Sequence, residues 1–164
     1  EILIGLVGSE MCIRDSPVIR MADLYLMYAE ALNEKGEDYA TVLPWIDMVR
    51  ERSGLQGVKE SWDQYVGNSK YATQTGLRQI IMQERRIELA FEGHYFWDVR
   101  RWKTATTELT QPLTGWKVRY GETDVDYYSE NLVLVRDFTP KMYFWPIDIG
   151  ELRKDPNLVQ NYGW

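Results

Sequence analysis

Four stretches of the chain carry apolar residues at the spacing of an α-helix, and this periodicity limits the fold more than any other feature. In the first stretch, residues 17–32, apolar side chains occupy positions 18, 21, 24, 25, 28, 29 and 32, with strong helix formers between them. The pattern predicts a helix that ends near Gly36. A second helix over residues 39–52 is predicted to pack back on the first, becoming regular near Thr41 with Pro44 in its first turn.

Two further helices are predicted in the middle of the chain. Residues 77–91 are apolar at helical spacing and are followed by Gly93, and residues 95–106 continue with a fourth helical pattern. Residues 54–75 lack a clear period and contain Gly, Ser, Asn and Tyr, which is typical of a loop with a short helical turn. The four helices are therefore expected to form antiparallel hairpins.

The last third of the chain changes character. Residues 115–120 and 131–138 are short β-rich runs separated by polar residues, which predicts one β-hairpin. A helical turn near residues 149–153 is expected within an otherwise irregular tail. The fold class is accordingly mainly α, with one small β-hairpin and an irregular C-terminal tail. Two helix pairs are what a tetratricopeptide-like stack needs, although no repeat of about 34 residues survives self-comparison.

Composition excludes several functions. The 164 residues include 25 acidic and 19 basic side chains, so the net charge of −6 argues against binding to nucleic acid. One Cys and one His are too few for an internal disulfide or a zinc site. The glycines form no pattern that would cradle a nucleotide phosphate. We therefore expect no metal and no cofactor.

The first sixteen residues, EILIGLVGSEMCIRDS, fit neither a signal peptide nor a lipid-attachment site. Their apolar run is short, acidic Glu1 stands where a positive flank should be, and Cys12 lacks the small residues that precede a modified cysteine. The run LVGSEMCIRDS resembles the translation of a sequencing adapter. We therefore expect residues 1–16 to be a non-native start, so that fold reasoning begins at Pro17.

A stripe of three carboxylates dominates the polar part of the sequence. Glu84, Glu88 and Glu92 recur every four residues on one helix face, where like charges repel unless cations lie opposite. Paired carboxylates are also the catalytic groups of glycoside hydrolases, so catalysis by Glu84 and Glu88 is one hypothesis. Nearby arginines would hold these acids ionised, which favours a structural ion network instead. The cations adjacent in sequence are Arg85, Arg86, Arg100 and Arg101.

Aromatic side chains are frequent, with seven Trp and eleven Tyr. Tryptophans inside apolar or helical patterns are interpreted as core: Trp45, Trp97, Trp102 and Trp145. Rings in loops or near the hairpin, with polar neighbours, are the candidates for stacking on sugar rings. These candidates are Trp62, Tyr65, Tyr71, Trp116, Tyr120, Tyr127 and Tyr128. The lone His94 has no Ser or Cys motif beside it and is interpreted as a helix-start residue.

Four sequence blocks resemble the C-terminal half of the SusD/RagB family and occur in the same order. They are IRMADLYLMYAEALNEKG, VRERSGL, ERRIELAFEGHYFWDVRRWK and FWPIDIGELRKDPNLVQNYGW. The resemblance implies a scaffold of tetratricopeptide-like helix pairs and no enzymatic activity. It also implies an outer-membrane lipoprotein at the cell surface that binds glycans such as starch, or other nutrients, and partners a SusC-like TonB-dependent transporter.

The resemblance extends to individual residues, which it implies are fold determinants: Arg20, Glu30, Arg50, Arg52, Glu84, Arg85, Glu88, Glu92, Asp98, Arg101 and Trp102. His94 stands where the family often has arginine, and local repacking is expected there. The lipid-bearing cysteine and most sugar-stacking aromatics of the family lie outside the match, so residues 17–164 are expected to form an incomplete C-terminal helical domain. A helical interaction scaffold without a ligand is the alternative.

Overall fold

The computed structural model describes residues 19–117 and 123–164. The chain divides into two compact units, Glu1–Glu92 and Gly93–Trp164. The first unit is mostly helical, and the second combines short helices with one small antiparallel sheet, so the mainly α fold class with one small β element is confirmed. In the described parts of the chain, no helix combines the length and the apolar character needed to cross a membrane.

The first unit is built on three long helices. They are α1 (Met21–Lys35), α2 (Tyr39–Arg52) and α4 (Gln74–Glu88), and between the last two lie α3 (Val58–Ser61), a π-helical turn (Trp62–Val66) and a 3₁₀ turn (Lys70–Ala72). The predicted loop over residues 54–75 therefore carries three short helical segments.

Helix α1 ends as predicted. Gly36 adopts a left-handed backbone with φ of +88°, and its N–H donates to the carbonyl of Asn33. Such a conformation costs glycine least, because it has no Cβ to clash with the backbone.

Helix α2 has the predicted span, but Pro44 lies inside it rather than in its first turn. The helix is already regular at its start, since the N–H of Val42 donates to the carbonyl of Asp38. Pro44 has no N–H to donate to the carbonyl of Ala40, four residues earlier. Because Ala40 is exposed, water can reach this carbonyl in place of the missing donor.

Helix α4 begins at a capping threonine and ends earlier than its apolar pattern predicts. The Thr73 hydroxyl accepts the N–H of Gly76 at 3.1 Å, which satisfies one donor of the first turn. The predicted end at Phe91 is wrong, because the helix stops at Glu88. Phe91 and Gly93 both adopt left-handed backbone, with φ of +66° and +82°, and this breaks the helix before the next element.

The buried faces of the three long helices form most of the core of the first unit. Small and branched side chains fill the space between α1 and α2, and the apolar face of α4 closes it. The buried apolar residues are Ala22, Leu26, Ala29, Val42, Leu43, Ile46, Val49, Val58, Tyr71, Leu77, Ile80 and Ile81.

The second unit consists of short elements. They are α5 (His94–Arg101), α6 (Ala105–Glu108), β1 (Leu113–Trp116), α7 (Asp124–Tyr127), β2 (Glu130–Leu134), a 3₁₀ turn (Pro140–Tyr143) and α8 (Ile149–Lys154). The predicted single helix over residues 95–106 is wrong, because Lys103 takes a left-handed φ of +58° and divides it into α5 and α6. The predicted turn near residue 149 is confirmed as α8.

Strands β1 and β2 pair antiparallel, which confirms the predicted hairpin with different bounds. Trp116 faces Glu130 across the pair, and the register shifts between Leu113 and Thr114. The connection is long and includes α7. The core of this unit is small: Val99, Ala105 and Phe138 are buried within it.

The partly buried carboxylate of Asp47 provides a test of the packing between α2 and α3. Its carboxylate accepts the N–H of Val58 at 2.7 Å, and burial raises the pKa of this acid. The folded state therefore favours the protonated form, and the contribution to stability declines as the pH rises through the raised pKa. Asp47→Asn keeps an oxygen acceptor without the charge, so we expect a higher free energy of unfolding at pH 7 than in wild type.

Urea unfolding at several pH values checks this prediction. The advantage of Asp47→Asn should grow as the pH rises from about 4, the ordinary pKa of an aspartate. A free energy of unfolding equal to or below that of wild type at neutral pH would show that the charge of Asp47 does not destabilise the fold.

Candidate ligand-binding surfaces

Three of the predicted ligand-contact residues come together in the second unit. The rings of Trp116 and Tyr128 lie 5.4 Å apart at 80°, and those of Tyr127 and Tyr128 lie 4.9 Å apart at 81°. Trp116 is 58% and Tyr128 61% exposed. We call these three residues the hairpin platform.

Local hydrogen bonds fix the hairpin platform. Strand β1 ends at Trp116, and the N–H of the following Lys117 donates to the carbonyl of Tyr127 at 3.2 Å. The Thr123 hydroxyl accepts the N–H of Asp126 at 3.2 Å and donates to its carboxylate at 2.8 Å, which caps the N-terminus of α7, the short helix that ends at Tyr127. The rings are therefore held by backbone and cap contacts rather than by a large core.

The hairpin platform suits a ligand with flat apolar faces and polar edges. Edge-to-face ring pairs leave ring faces uncovered, and the high exposure of Trp116 and Tyr128 brings such faces to the surface. Tyrosine and tryptophan also carry a polar tip that hydrogen-bonds at the edge of a contact. The C–H faces and hydroxyl groups of a sugar ring match both properties.

Two of the predicted residues in the first unit take part in its packing. Tyr71 is only 5% exposed, and its hydroxyl donates to Asp63 at 2.8 Å, which raises the pKa of Tyr71. Trp62 packs on the core, and the ammonium of Lys70 lies 5.5 Å from its ring centroid. The prediction of a ligand contact is thus corrected for Tyr71, whose ring is part of the core, whereas Trp62 is only partly buried and its role in ligand binding stays a prediction.

The remaining two predicted residues have different outcomes. Tyr65 lies in the π-helical turn and is 73% exposed, so its role in ligand binding stays a prediction. Tyr120 falls outside the described residues.

A second aromatic surface in the same unit contradicts the prediction that its tryptophans are core. Trp97 is 59% and Trp145 64% exposed, and Phe96 pairs edge-to-face with Trp97 at 5.0 Å. We call Phe96, Trp97, Arg100 and Trp145 the α5 surface. Consecutive residues of a helix point about 100° apart, so the run Tyr95-Phe96-Trp97 could have signalled that some of these rings face outward.

The carboxylate stripe is paired with cations that come from α2 and from the residue before α1. Arg50 pairs with Glu84, and its Nε donates to the carbonyl of Gln56 at 2.8 Å. Arg20 pairs with Glu88, and its Nε lies 2.9 Å from Glu92. Hydrogen bonding to Glu92 raises the pKa of Arg20.

Arg52 completes the set with an ion pair to Glu88 at 2.6 Å. These interactions tie α4 to α1 and α2, and the partially buried side chains make them stronger than exposed pairs. A general acid for glycoside hydrolysis has to carry a proton, whereas a carboxylate that accepts guanidinium hydrogen bonds is stabilised in its charged form.

Three of the arginines adjacent to the stripe in sequence also bind groups outside it. Arg85 is buried and donates to Asp23 at 2.9 Å, and Arg101 donates to Asp98 at 2.8 Å. Arg100 donates to the carbonyl of Met142 at 2.5 Å, so its predicted place in the ion network is corrected. Within residues 19–117 and 123–164, no group of three or more His, Cys, Asp or Glu side chains could hold a metal ion.

Comparison with known proteins gives one consistent family. SusD-like protein P25 of Formosa agariphila is 39% identical over 144 residues, which are 88% of this chain and 23% of the relative. SusD-like protein P38 of the same bacterium is 28% identical over 144 residues, again 88% of this chain and 24% of the relative. The chain thus spans about a quarter of the length of these curated relatives.

Solved structures agree in fold. A SusD-like protein from Bacteroides fragilis superposes with a TM-score of 0.69 at 30% identity, over 87% of this chain and 25% of the other. A structure from the same species, described as a SusD-like carbohydrate-binding protein, superposes with a TM-score of 0.69 at 31% identity, over 88% of this chain and 28% of the other. A model of the SusD family matches residues 13–164, and the chain therefore belongs to the SusD family.

Proposed function

We propose that this chain is part of a non-catalytic protein that binds oligosaccharides at the surface of the outer membrane. In this proposal a lipid anchor holds the protein there, and the bound glycan passes to a SusC-like TonB-dependent transporter. The observation that carries the glycan-binding part is the hairpin platform, in which the rings of Trp116 and Tyr128 are exposed. A relative described as carbohydrate-binding supports the same class of ligand.

The ion pairs of the stripe support a role without catalysis. Glu84 and Glu88 each bind at least one arginine, and each side chain is about one-eighth to one-seventh exposed, at 14% and 13%. The arginines neutralise the like charges along α4, and the ion pairs join α4 to its neighbouring helices. A catalytic pair would instead need one protonated acid and room for the scissile bond between the two groups.

Titration with neutral oligosaccharides tests the glycan-binding part. The protein should show a saturable change in tryptophan fluorescence with at least one glucan, mannan or galactan oligosaccharide, because ring stacking alters the surroundings of Trp116. A flat response to every glycan would favour the alternative of a helical scaffold without a ligand.

The transporter part requires a separate measurement. The full-length protein that contains this chain can be purified by affinity from outer membranes of its own organism. A TonB-dependent transporter should be recovered with it in an amount comparable to that of the protein itself. Recovery of the protein without any such transporter, under conditions that preserve membrane complexes, would contradict this part of the proposal and leave glycan binding unaffected.

A further inference from the structure

Arg100 lacks a carboxylate partner in the part of the chain that the structure describes. Its polar contact is the hydrogen bond from Nη1 to the carbonyl of Met142, and its Nε is buried with no acceptor. Other arginines of the fold, such as Arg20, Arg50 and Arg85, pair with Asp or Glu. The Nε of Arg136 is also buried with no acceptor, so the missing counter-ion points to a ligand at Arg100 only together with the aromatic rings around it.

Aromatic rings surround the guanidinium of Arg100. Its carbon lies 4.2 Å from the centroid of Phe96, 5.2 Å from that of Phe138 and 5.7 Å from that of Trp145. Phe138 is buried, whereas Phe96 and Trp145 are 38% and 64% exposed. The cation is thus held in position by stacking and by one carbonyl, at the edge of exposed ring surface.

This arrangement combines the two groups that an acidic sugar needs. A guanidinium binds a carboxylate through charge-assisted hydrogen bonds, which are about twice as strong as neutral ones. An exposed tryptophan ring beside it offers a face for the C–H groups of the same sugar. A neutral sugar would use the ring face and leave the charge of Arg100 uncompensated.

We propose that Arg100, together with Phe96 and Trp145, forms a subsite for a carboxylate-bearing sugar, that is, a uronic acid unit of an oligosaccharide. This inference rests on the proposed function, because it specifies the class of glycan bound. The overall charge of −6 repels anionic ligands, so a preference for an acidic glycan has to come from a local site.

Calorimetric titration with a matched pair of ligands tests the subsite. Oligogalacturonate and its methyl ester share one backbone and differ in charge. Wild type should bind the acid at least about tenfold more tightly than the ester, as expected for a hydrogen bond to a charged group. Arg100→Gln should remove this preference, so that acid and ester bind with equal affinity, while Arg100→Lys should keep part of the preference because the charge remains.

Arg153→Gln is the matched control, since Arg153 is an exposed arginine on α8 of the same unit. It should bind both ligands as wild type does. Equal affinity of wild type for acid and ester would overturn the subsite, and this comparison does not depend on any variant folding. An unchanged preference in folded Arg100→Gln would overturn it as well. Loss of binding to every oligosaccharide, neutral ones included, would instead overturn the proposed function itself.

Discussion

Replacement of Asp23 with alanine is expected to lower the free energy of unfolding by about 3–5 kcal/mol, the usual cost of breaking a buried ion pair by removing one side chain. The carboxylate of Asp23 lies 2.9 Å from Nη1 of Arg85, and the two side chains are 8% and 3% exposed. Without Asp23, the guanidinium keeps its desolvation cost and loses this attraction. Urea unfolding followed by circular dichroism measures the difference.

Two controls make this prediction specific to the buried charge. Glu34→Gln breaks the pair between Glu34 and Arg78, whose side chains are 45% and 36% exposed, and should cost less than about 1 kcal/mol. The double variant Asp23→Leu with Arg85→Met replaces both charges by apolar groups and should be far more stable than Asp23→Ala alone. If Asp23→Ala costs no more than Glu34→Gln, the buried pair does not carry the expected energy.

Replacement of Trp116 with alanine is expected to weaken oligosaccharide binding by about 30-fold or more, which corresponds to roughly 2 kcal/mol for an aromatic hot spot. Trp116 contributes the largest ring of the hairpin platform and is 58% exposed, so truncation removes ligand contact and little core. Isothermal titration calorimetry is the suitable readout, because the substitution changes the intrinsic fluorescence.

Trp116→Phe and Tyr162→Ala are the comparisons for this prediction. The phenylalanine keeps a ring face and should recover much of the affinity. Tyr162 is 80% exposed and lies outside the hairpin platform, so its loss should leave binding unchanged. Equal effects of Trp116→Ala and Tyr162→Ala would mean that the hairpin platform does not bind the glycan.

The long helices could be predicted from sequence because each has a continuous apolar period and a recognisable end. Gly36 closes α1 through a conformation that glycine tolerates best. Helix α4 shows the limit of this reasoning, since the apolar pattern continues beyond Glu88 while the backbone turns left-handed at Phe91. Periodicity reports which side chains are apolar, and backbone conformation at a helix end depends on tertiary packing.

Charge pairing was less accessible to sequence reasoning. The resemblance to the family singled out Arg20, Arg50 and Arg52, but only the structure shows which carboxylates they bind, because Arg20 and Glu88 are 68 residues apart. The sequence carries no signal for Asp23, because the apolar period of α1 marks positions such as Met21 and Leu24 that are exposed, whereas Asp23 is buried on the face of Ala22 and Leu26.

Whether an aromatic side chain is buried or exposed depends on the size of the core next to it. Tyr71 lies in a loop but reaches the large core of the first unit, so it is buried. Trp97 and Trp145 lie in apolar sequence but belong to a unit with few buried residues, so much of each ring stays exposed. Local sequence cannot reveal this difference, since it depends on how much apolar surface distant segments supply.

The most direct test of the account is a single experiment in which the protein is titrated with an oligosaccharide by calorimetry and the sugar is then recovered and analysed. Saturable binding with the oligosaccharide recovered intact is the predicted result. Release of new reducing ends over time, abolished by Glu84→Gln or Glu88→Gln, would contradict it and establish the stripe as a catalytic pair.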